Sequence, residues 1–168
     1  MRLGWLRFEG CRAGVTDTVH TTPASAEDLI TIRSLLEEAG LPTSDLDSAR
    51  PEFVVLRADG RVTAAGALQH FGDSALLRSV VVAAARRGRG LGQTVVGELE
   101  RRARSAHIGQ LFLLTQTASD FFARLGYRII ERASAPPDMQ QSEEFRSLCP
   151  ASAICMCKVL HERASPSD

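Results

Sequence analysis

The stretch SVVVAAARRGRGLGQT, residues 79–94, decides the fold of this chain. A β-branched run leads into a glycine-rich loop, and an amphipathic pattern follows, which predicts a strand, a loop and a helix. Gly88, Gly90 and Gly92 let the backbone pass close to a ligand. The first N–H groups of the helix have no intrahelical acceptor and favour an anion, as do the arginines at 86, 87 and 89. The stretch therefore predicts a site for a phosphate-bearing ligand.

Two common phosphate loops do not fit this spacing. The order G-x-x-x-x-G-K-[ST] is absent, and the three glycines follow G-x-G-x-G rather than the dinucleotide pattern G-x-G-x-x-G. Residues Arg87 to Gly92 do fit [QR]-x-x-G-x-[GA]. In that form the loop resembles the coenzyme A pyrophosphate loop of the GNAT N-acetyltransferases.

A second block strengthens the resemblance. Thr115-x-x-Ala118-x-x-Phe121-Phe122-Ala123-Arg124-Leu125-Gly126-Tyr127 is similar to the GNAT block N-x-x-A-x-x-F-Y-E-K-x-G-F. The likeness covers roughly residues 18–160. It implies an α/β GNAT fold, with a mixed, largely antiparallel sheet of six to seven strands flanked by helices and with splayed central strands.

The resemblance also implies the cosubstrate, acetyl-CoA, and where it binds. The backbone of the central strand would bind the pantetheine arm and the acetyl carbonyl at a bulge, and the loop with the helix start would hold the pyrophosphate. The implied cofactor-binding residues are Val80, Val81, Val82, Arg87, Gly88, Arg89, Gly90, Leu91, Gly92, Gln93, Thr94, Thr115 and Phe122.

The chain departs from the family at the residues that carry acid–base chemistry. Phe122 stands where the family places a tyrosine, and Leu76 where a glutamate base is common. Thr115 replaces a common asparagine. Positioning alone can lower the barrier to aminolysis by about 7–11 kcal/mol in favourable models, and a relayed water can remove a proton. Candidate bases are Glu52, His70 and Asp73, each also explained as a surface residue.

Arg78 is a candidate substrate-binding residue. Regular alternation would give it a face shared with Leu76, Val80 and Val82, so that a cation lies among apolar side chains. It then either pairs with Asp73 or a neighbouring strand, or binds an anionic group of the acceptor. A bulge would change the alternation, so both interpretations stay open.

The rest of the chain predicts one domain over residues 18–160. Residues 1–17 form an N-terminal extension expected to be poorly ordered, and residues 161–168 a C-terminal tail. Asp59-Gly60 between two apolar runs predicts a hairpin. Ser25 to Asp28 has capping-box form and predicts a helix that Gly40 ends.

Composition excludes several function classes. Lys and Arg together number 20, as do Asp and Glu, so nothing indicates nucleic acid as a partner. A membrane span and a signal peptide are not evident, which predicts a cytoplasmic protein. Four scattered cysteines favour free thiols and no metal site. The sequence does not determine the oligomeric state, and a homodimer stays open.

These observations predict an N-acetyltransferase that acts on a primary amine of a small molecule by direct attack in a ternary complex. The closing segment from Ser147 to Met156 resembles GNAT proteins of arsenic-resistance operons, so the acceptor would be an amino-acid-like or arsenic-containing compound. The main alternative is a non-catalytic acyl-CoA sensor or interaction module on the same fold. A trithiolate arsenic binder made by Cys149, Cys155 and Cys157 is a third interpretation, set against buried cysteines acting as small hydrophobes.

Overall fold

A computed structural model of the chain describes residues 20–160, so the extension over 1–17 and the tail over 161–168 lie outside the described residues. Within that range one sheet of seven strands carries five α-helices. The strands are β1 His20–Pro23, β2 Glu52–Ala58, β3 Arg61–Phe71, β4 Ser74–Val82, β5 Gln110–Thr115, β6 Arg128–Ile130 and β7 Ile154–Val159. The helices are α1 Asp28–Glu38, α2 Leu46–Ala49, α3 Leu91–Ser105, α4 Ser119–Arg124 and α5 Pro137–Gln140.

The sheet has the strand order β1-β2-β3-β4-β5-β7-β6. Neighbouring strands run antiparallel except β4 and β5, which are parallel and are connected through α3. The prediction of a mixed, largely antiparallel sheet of six to seven strands is therefore confirmed. A parallel pair needs a crossover connection, and α3 provides it directly after the glycine loop.

Local sequence signals account for the elements that lead to the loop. Asp59 and Gly60 have φ of 52° and 74°, as a two-residue hairpin turn requires. The capping box is also present, because the Ser25 backbone N–H donates to Asp28 Oδ2 at 2.7 Å and the Asp28 N–H donates to Ser25 Oγ at 3.3 Å. The helix that they begin ends before Gly40, which has φ of 69°.

Two layers of helix cover the sheet. On one face α3 packs through Val95, Val96 and Leu99 on residues of β2 to β5. On the other face α1 packs on β2 to β4 through Ile32 and Leu36. The segment between β6 and β7 extends the α1 layer over β5 and β7, where Met139 and Phe145 meet Leu76, Phe112 and Cys155.

The central strands separate at one end. β4 and β5 pair only over Ser74–Leu76 with Gln110–Phe112, although β4 continues to Val82 and β5 to Thr115. A bulge lies in the part of β4 that has left β5, where Ser79 has φ of 56° and the register with β3 shifts. The predicted splay of the central strands is therefore present.

The bulge corrects the alternation expected from sequence. Leu76 belongs to the core on the α1 side, whereas Val80 and Val82 pack on the α3 side and Val81 on the α1 side. Arg78 therefore shares a face with Leu76 but not with Val80 and Val82, because the extra residue at Ser79 inverts the order of faces beyond it.

Candidate active site

The glycine loop turns the chain from β4 into α3. Gly88 and Gly90 both have φ of 76°, a left-handed conformation that strains any residue with a Cβ atom. Gly90 is the N-cap of α3 and provides no side-chain cap to the first turn. The helix therefore begins with backbone donors and the positive end of its dipole directed at the concave side of the loop.

A cavity of about 700 Å³, here called the loop cavity, lies between this loop, the end of β4 and α4. Most of the predicted cofactor-binding residues line it: Val80, Val81, Val82, Arg87, Gly88, Gly90, Leu91, Gly92, Gln93 and Phe122. Arg89 and Thr94 do not line it, and the Thr94 hydroxyl donates to the Gly90 carbonyl at 3.2 Å. The loop cavity thus joins apolar walls to a glycine-rich, arginine-bearing end.

A second cavity of about 520 Å³, here called the inner cavity, adjoins the first where β4 and β5 have separated. Both cavities contact Val80, Arg87 and Phe122. The inner cavity reaches past Thr115 to Arg78 on β4 and to Glu144 and Cys149 in the segment before β7. A ligand extended along β4 could therefore place one end at the loop and the other among charged side chains.

A buried ion cluster forms one wall of the inner cavity. Arg78 Nη1 and Nη2 donate to Asp45 Oδ2 and Oδ1, each at 2.6 Å, and Nη1 also donates to Gln69 Oε1 at 2.9 Å. Glu144 Oε2 lies 2.8 Å from Arg78 Nη2. The side chain of Arg78 is only 1% exposed. Burial works against its charge, but Asp45 and Glu144 outweigh burial and raise the pKa of Arg78 above its ordinary value.

A thiol completes the cluster. Cys149 Sγ donates to Glu144 Oε1 at 3.2 Å. Burial, reinforced by the Glu144 carboxylate, raises the pKa of Cys149 to about 12, so the thiol stays protonated at neutral pH. Arg132 fixes the backbone of this segment by donating to the carbonyls of Phe145, Cys149 and Pro150.

The sequence did not single out Asp45 and Glu144. Asp45 occupies the N-cap of α2, but its side chain makes no cap and binds Arg78 instead. Glu144 lies in a polar segment without periodicity and begins a π-helical turn, Glu144–Leu148. No local pattern could have found either residue, because their partner lies on a distant strand.

Residues 49–129 match the family model described as the acetyltransferase (GNAT) domain. The chain has the GNAT fold. The matched residues run from the end of α2 to β6 and include β4, the glycine loop, α3 and α4.

Solved structures resemble this GNAT domain. Rv2747 from Mycobacterium tuberculosis, solved in complex with CoA and NLQ, has a TM-score of 0.73 and 26% identity, over 83% of this chain and 98% of that chain. N-acetylglutamate synthase from Neisseria gonorrhoeae, complexed with coenzyme A and N-acetyl-glutamate, has a TM-score of 0.74 and 22% identity, over 86% of this chain. The present chain spans only 35% of that protein.

A further neighbour is the ribosomal-protein-S18-alanine N-acetyltransferase from Escherichia coli, with a TM-score of 0.69 and 16% identity over 89% of this chain and 99% of that chain. At this identity and at that of the Neisseria gonorrhoeae enzyme, the likeness shows the fold alone. The family match over residues 49–129, the fold and the coenzyme A complex of Rv2747 support acetyl-CoA as the cosubstrate and N-acetyltransferase as the enzyme class.

The three candidate bases lie outside the cavities of the GNAT domain. His70 Nε2 lies 3.4 Å from Glu52 Oε2 in a separate surface cleft, where Glu52 also contacts Arg102. The Asp73 carbonyl accepts the N–H of Gly109 in the turn beside that end of the sheet. His70 pairs with Ala75, and β4 runs about 23 Å from there to Val82. The structure therefore does not bring Glu52, His70 or Asp73 to the β4–β5 opening.

The residues that depart from the family pattern lie at the site. Phe122 lines both cavities and is 7% exposed, and Thr115 lines the inner cavity while its Oγ1 accepts the N–H of Ala118 at 3.0 Å. Leu76 is fully buried in the core, so its position has no contact with a ligand space. Phe122 has no proton to donate, and proton transfer needs another group.

Cys149, Cys155 and Cys157 belong to no candidate metal site within the described range. No group of three or more His, Cys, Asp or Glu side chains among residues 20–160 could hold a metal ion. Burial raises the pKa of Cys155 to about 11 and raises that of Cys157, as it does for Cys149. Protonated thiols are poor ligands for a thiophilic ion, which argues against the trithiolate interpretation.

None of the described helices has the length and apolar character to cross a membrane.

Proposed function

We propose that this protein transfers the acetyl group of acetyl-CoA to a primary amine of a small molecule, by direct attack within a ternary complex. One observation carries the proposal: the loop cavity and the inner cavity meet at the opening between β4 and β5. A thioester lying in the first would meet an amine lying in the second at Val80. Holding two reactants in this way is the main requirement of aminolysis.

The residues present fit coenzyme A. Glycine at 88 and 90 lets the loop adopt left-handed conformations, and the uncapped start of α3 supplies backbone donors for the pyrophosphate. The arginines of the loop add positive charge, and the apolar walls suit the pantetheine arm. The backbone at Val80 and Val82 would bind that arm and polarise the acetyl carbonyl, as the family resemblance implies.

The acceptor proposal rests on the charges of the inner cavity. Arg78, Arg87 and Glu144 line it, so both signs of charge face the same space. That combination suits an amino-acid-like compound, which carries an ammonium and an acidic group. An arsenic-containing amino-acid analogue fits the same description, and its support is the resemblance of the closing segment. A cytoplasmic location and a homodimer stay further proposals, on which the charges of this cavity have no bearing.

Turnover with defined amines tests the proposal. The purified protein is mixed with acetyl-CoA and a panel of amino acids and alkylamines, release of the free thiol is followed, and acetylated products are identified by mass. We expect one class of amine to give turnover above acetyl-CoA hydrolysis. Thiol release that is the same with and without every amine would contradict it.

The second candidate is an acyl-CoA sensor on the same fold. The observation that favours it is the apolar character of Phe122 and Leu76, where the family places acid–base residues. A sensor would bind coenzyme A and rise in melting temperature without acetylating any amine. Thermal unfolding with and without coenzyme A, run beside the turnover assay, separates the two functions.

A further inference from the structure

Glu144 presents a buried carboxylate to the inner cavity. The residue is 7% exposed and lies on the cavity wall with Arg78 and Cys149. It begins a π-helical turn, a rare form that often occurs at functional sites. The Arg132 side chain holds the backbone after it through the carbonyls of Phe145 and Cys149. The carboxylate is therefore held in place by elements from two sides.

The cluster around Glu144 carries more negative than positive charge. Arg78 is the cation between two carboxylates, and Asp45 takes a hydrogen bond from each of its Nη atoms. Arg78 has one formal positive charge for the two formal negative charges of the carboxylates that it joins, and Arg132 lies close by but donates to backbone carbonyls. A buried carboxylate that shares its cation with a second carboxylate is stabilised when another cation approaches.

The carboxylate also keeps hydrogen-bonding capacity. Oε1 accepts the thiol of Cys149, whereas Oε2 lies at ion-pair distance from Arg78 but has no hydrogen-bond partner among the described residues. A carboxylate oxygen can accept two hydrogen bonds. The ammonium group of an acceptor is a cation with three donors, and a carboxylate on the cavity wall suits both its charge and its donors.

We propose that Glu144 binds the ammonium of the acceptor and removes its proton, and that Arg78 and Cys149 position its carboxylate. The inference rests on the proposed function. One proton passes from the ammonium to Glu144 and from there to solvent. The freed nitrogen lone pair forms the C–N bond at the acetyl carbonyl, the C–S bond breaks with its electron pair on sulfur, and the second nitrogen proton neutralises that thiolate.

The candidate bases suggested by the sequence lie far from the Glu144 carboxylate. Glu52, His70 and Asp73 lie at the opposite end of β3 and β4, whereas Glu144 contacts the space beside Val80 and Phe122. The titratable and charged groups around Glu144 are Arg78 on β4, Asp45 before α2, Cys149 after the π-helical turn and Arg132 after β6, with Arg87 on the same cavity. Among them Glu144 is the carboxylate that lines the cavity.

The test compares Glu144→Gln with Glu143→Gln. Both changes replace a carboxylate by an amide of the same shape, but Glu143 is exposed and does not line either cavity. The acceptors are the best alkylamine of the panel, which is protonated at pH 7.5, and an arylamine, which is neutral there. Circular dichroism and the dissociation constant for coenzyme A report whether each variant keeps its fold and its cofactor site.

We expect Glu144→Gln to lower kcat/KM for the alkylamine by about 100-fold or more, within the range typical of general base catalysis, and for the arylamine by less than tenfold. Coenzyme A affinity and the activity of Glu143→Gln should stay within twofold of wild type. A merely structural defect would slow both amines equally, and that result would overturn the inference. So would full activity of Glu144→Gln, with the proposed function left intact.

A wild-type protein that acetylates neither amine would instead overturn the proposed function, and the role of Glu144 with it. Cys149→Ala serves as a second variant, because it keeps the carboxylate and removes only the thiol that positions it. A loss of kcat for the alkylamine that is smaller than that of Glu144→Gln is expected. A larger loss would overturn the assignment of Glu144 as the proton acceptor.

Discussion

At the scale of single residues, Arg78 shows how burial changes the meaning of a charge. From sequence it is either a salt-bridge residue or a ligand for an anionic acceptor. In the structure Asp45, Gln69 and Glu144 engage both Nη atoms, and only Nε lacks a partner within the described residues. Its charge therefore serves first to hold two carboxylates beside the inner cavity. Direct contact of Arg78 with the acceptor stays a prediction.

Removing that charge should be costly for stability. Arg78→Met leaves Asp45 and Glu144 buried without a cation, and we expect the free energy of unfolding to fall by about 3–5 kcal/mol in urea at pH 7. Arg33→Met is the matched control, because its partner Asp47 is 87% exposed and surface pairs contribute about 0–1 kcal/mol. Equal effects of the two changes would contradict the buried-cluster interpretation.

At the scale of elements, the glycine loop and α3 together line one side of the loop cavity. The left-handed φ values at Gly88 and Gly90 turn the chain so that the first turn of α3 faces the loop cavity. α3 also packs closely on β3, since a Cβ at Gly66 would lie 2.8 Å from side-chain atoms of Leu99 and Val95. The helix start therefore has a fixed position relative to the β4 bulge.

Alanine substitutions at glycines of the loop and α3 distinguish the effect of backbone conformation from the effect of side-chain contacts. A Cβ at Gly90 meets no atom within 4 Å, so Gly90→Ala acts only through its φ of 76° and should weaken coenzyme A binding about tenfold, at a cost of about 1–2 kcal/mol.

Gly97→Ala in the middle of α3 is also free of contacts and should stabilise the protein by about 0.5–1 kcal/mol. Calorimetric titration and urea unfolding measure both, and an unchanged coenzyme A affinity in Gly90→Ala would contradict the role of the loop.

At the scale of the whole molecule, positive and negative side chains are equal in number but are not evenly distributed over the protein. Arginines collect at the glycine loop, and the carboxylate of Glu144 lies on the far wall of the inner cavity. The protein also buries protonated groups, because burial raises the pKa of Cys149 to about 12 and of Cys155 to about 11. The pKa of Tyr127 is also raised, by burial and by the nearby Glu100.

These raised values predict a loss of stability in alkaline solution. A thiol titrates near 8.5 in the unfolded chain, so its contribution is complete below that pH and is lost as the pH rises towards 11 and 12. We expect the free energy of unfolding to fall between pH 8.5 and 10.5, by on the order of 1–2 kcal/mol for each buried thiol. Urea unfolding of Cys155→Ala, which is less stable throughout, should show a shallower slope with pH. Identical slopes would refute the prediction.

The sequence by itself determined the features whose causes are local. Turn chemistry predicted the hairpin at Asp59-Gly60, capping predicted the start of α1, and a β-branched run followed by glycines predicted β4, the loop and α3. Each depends on residues only a few positions apart. The glycine loop could therefore be predicted, and ten of the thirteen predicted cofactor-binding residues line the loop cavity, whereas coenzyme A binding there stays a prediction.

Only the tertiary structure decided which charged groups reach the site. The bulge at Ser79 inverted the faces beyond it. His70 and Asp73 at the far end of the β3–β4 hairpin, with Glu52 at the start of β2 beside them, lie away from the opening. The segment before β7 brought Glu144 against Arg78 from 66 positions along the chain. Such pairings depend on the packing of distant elements, and no periodicity in the sequence records them.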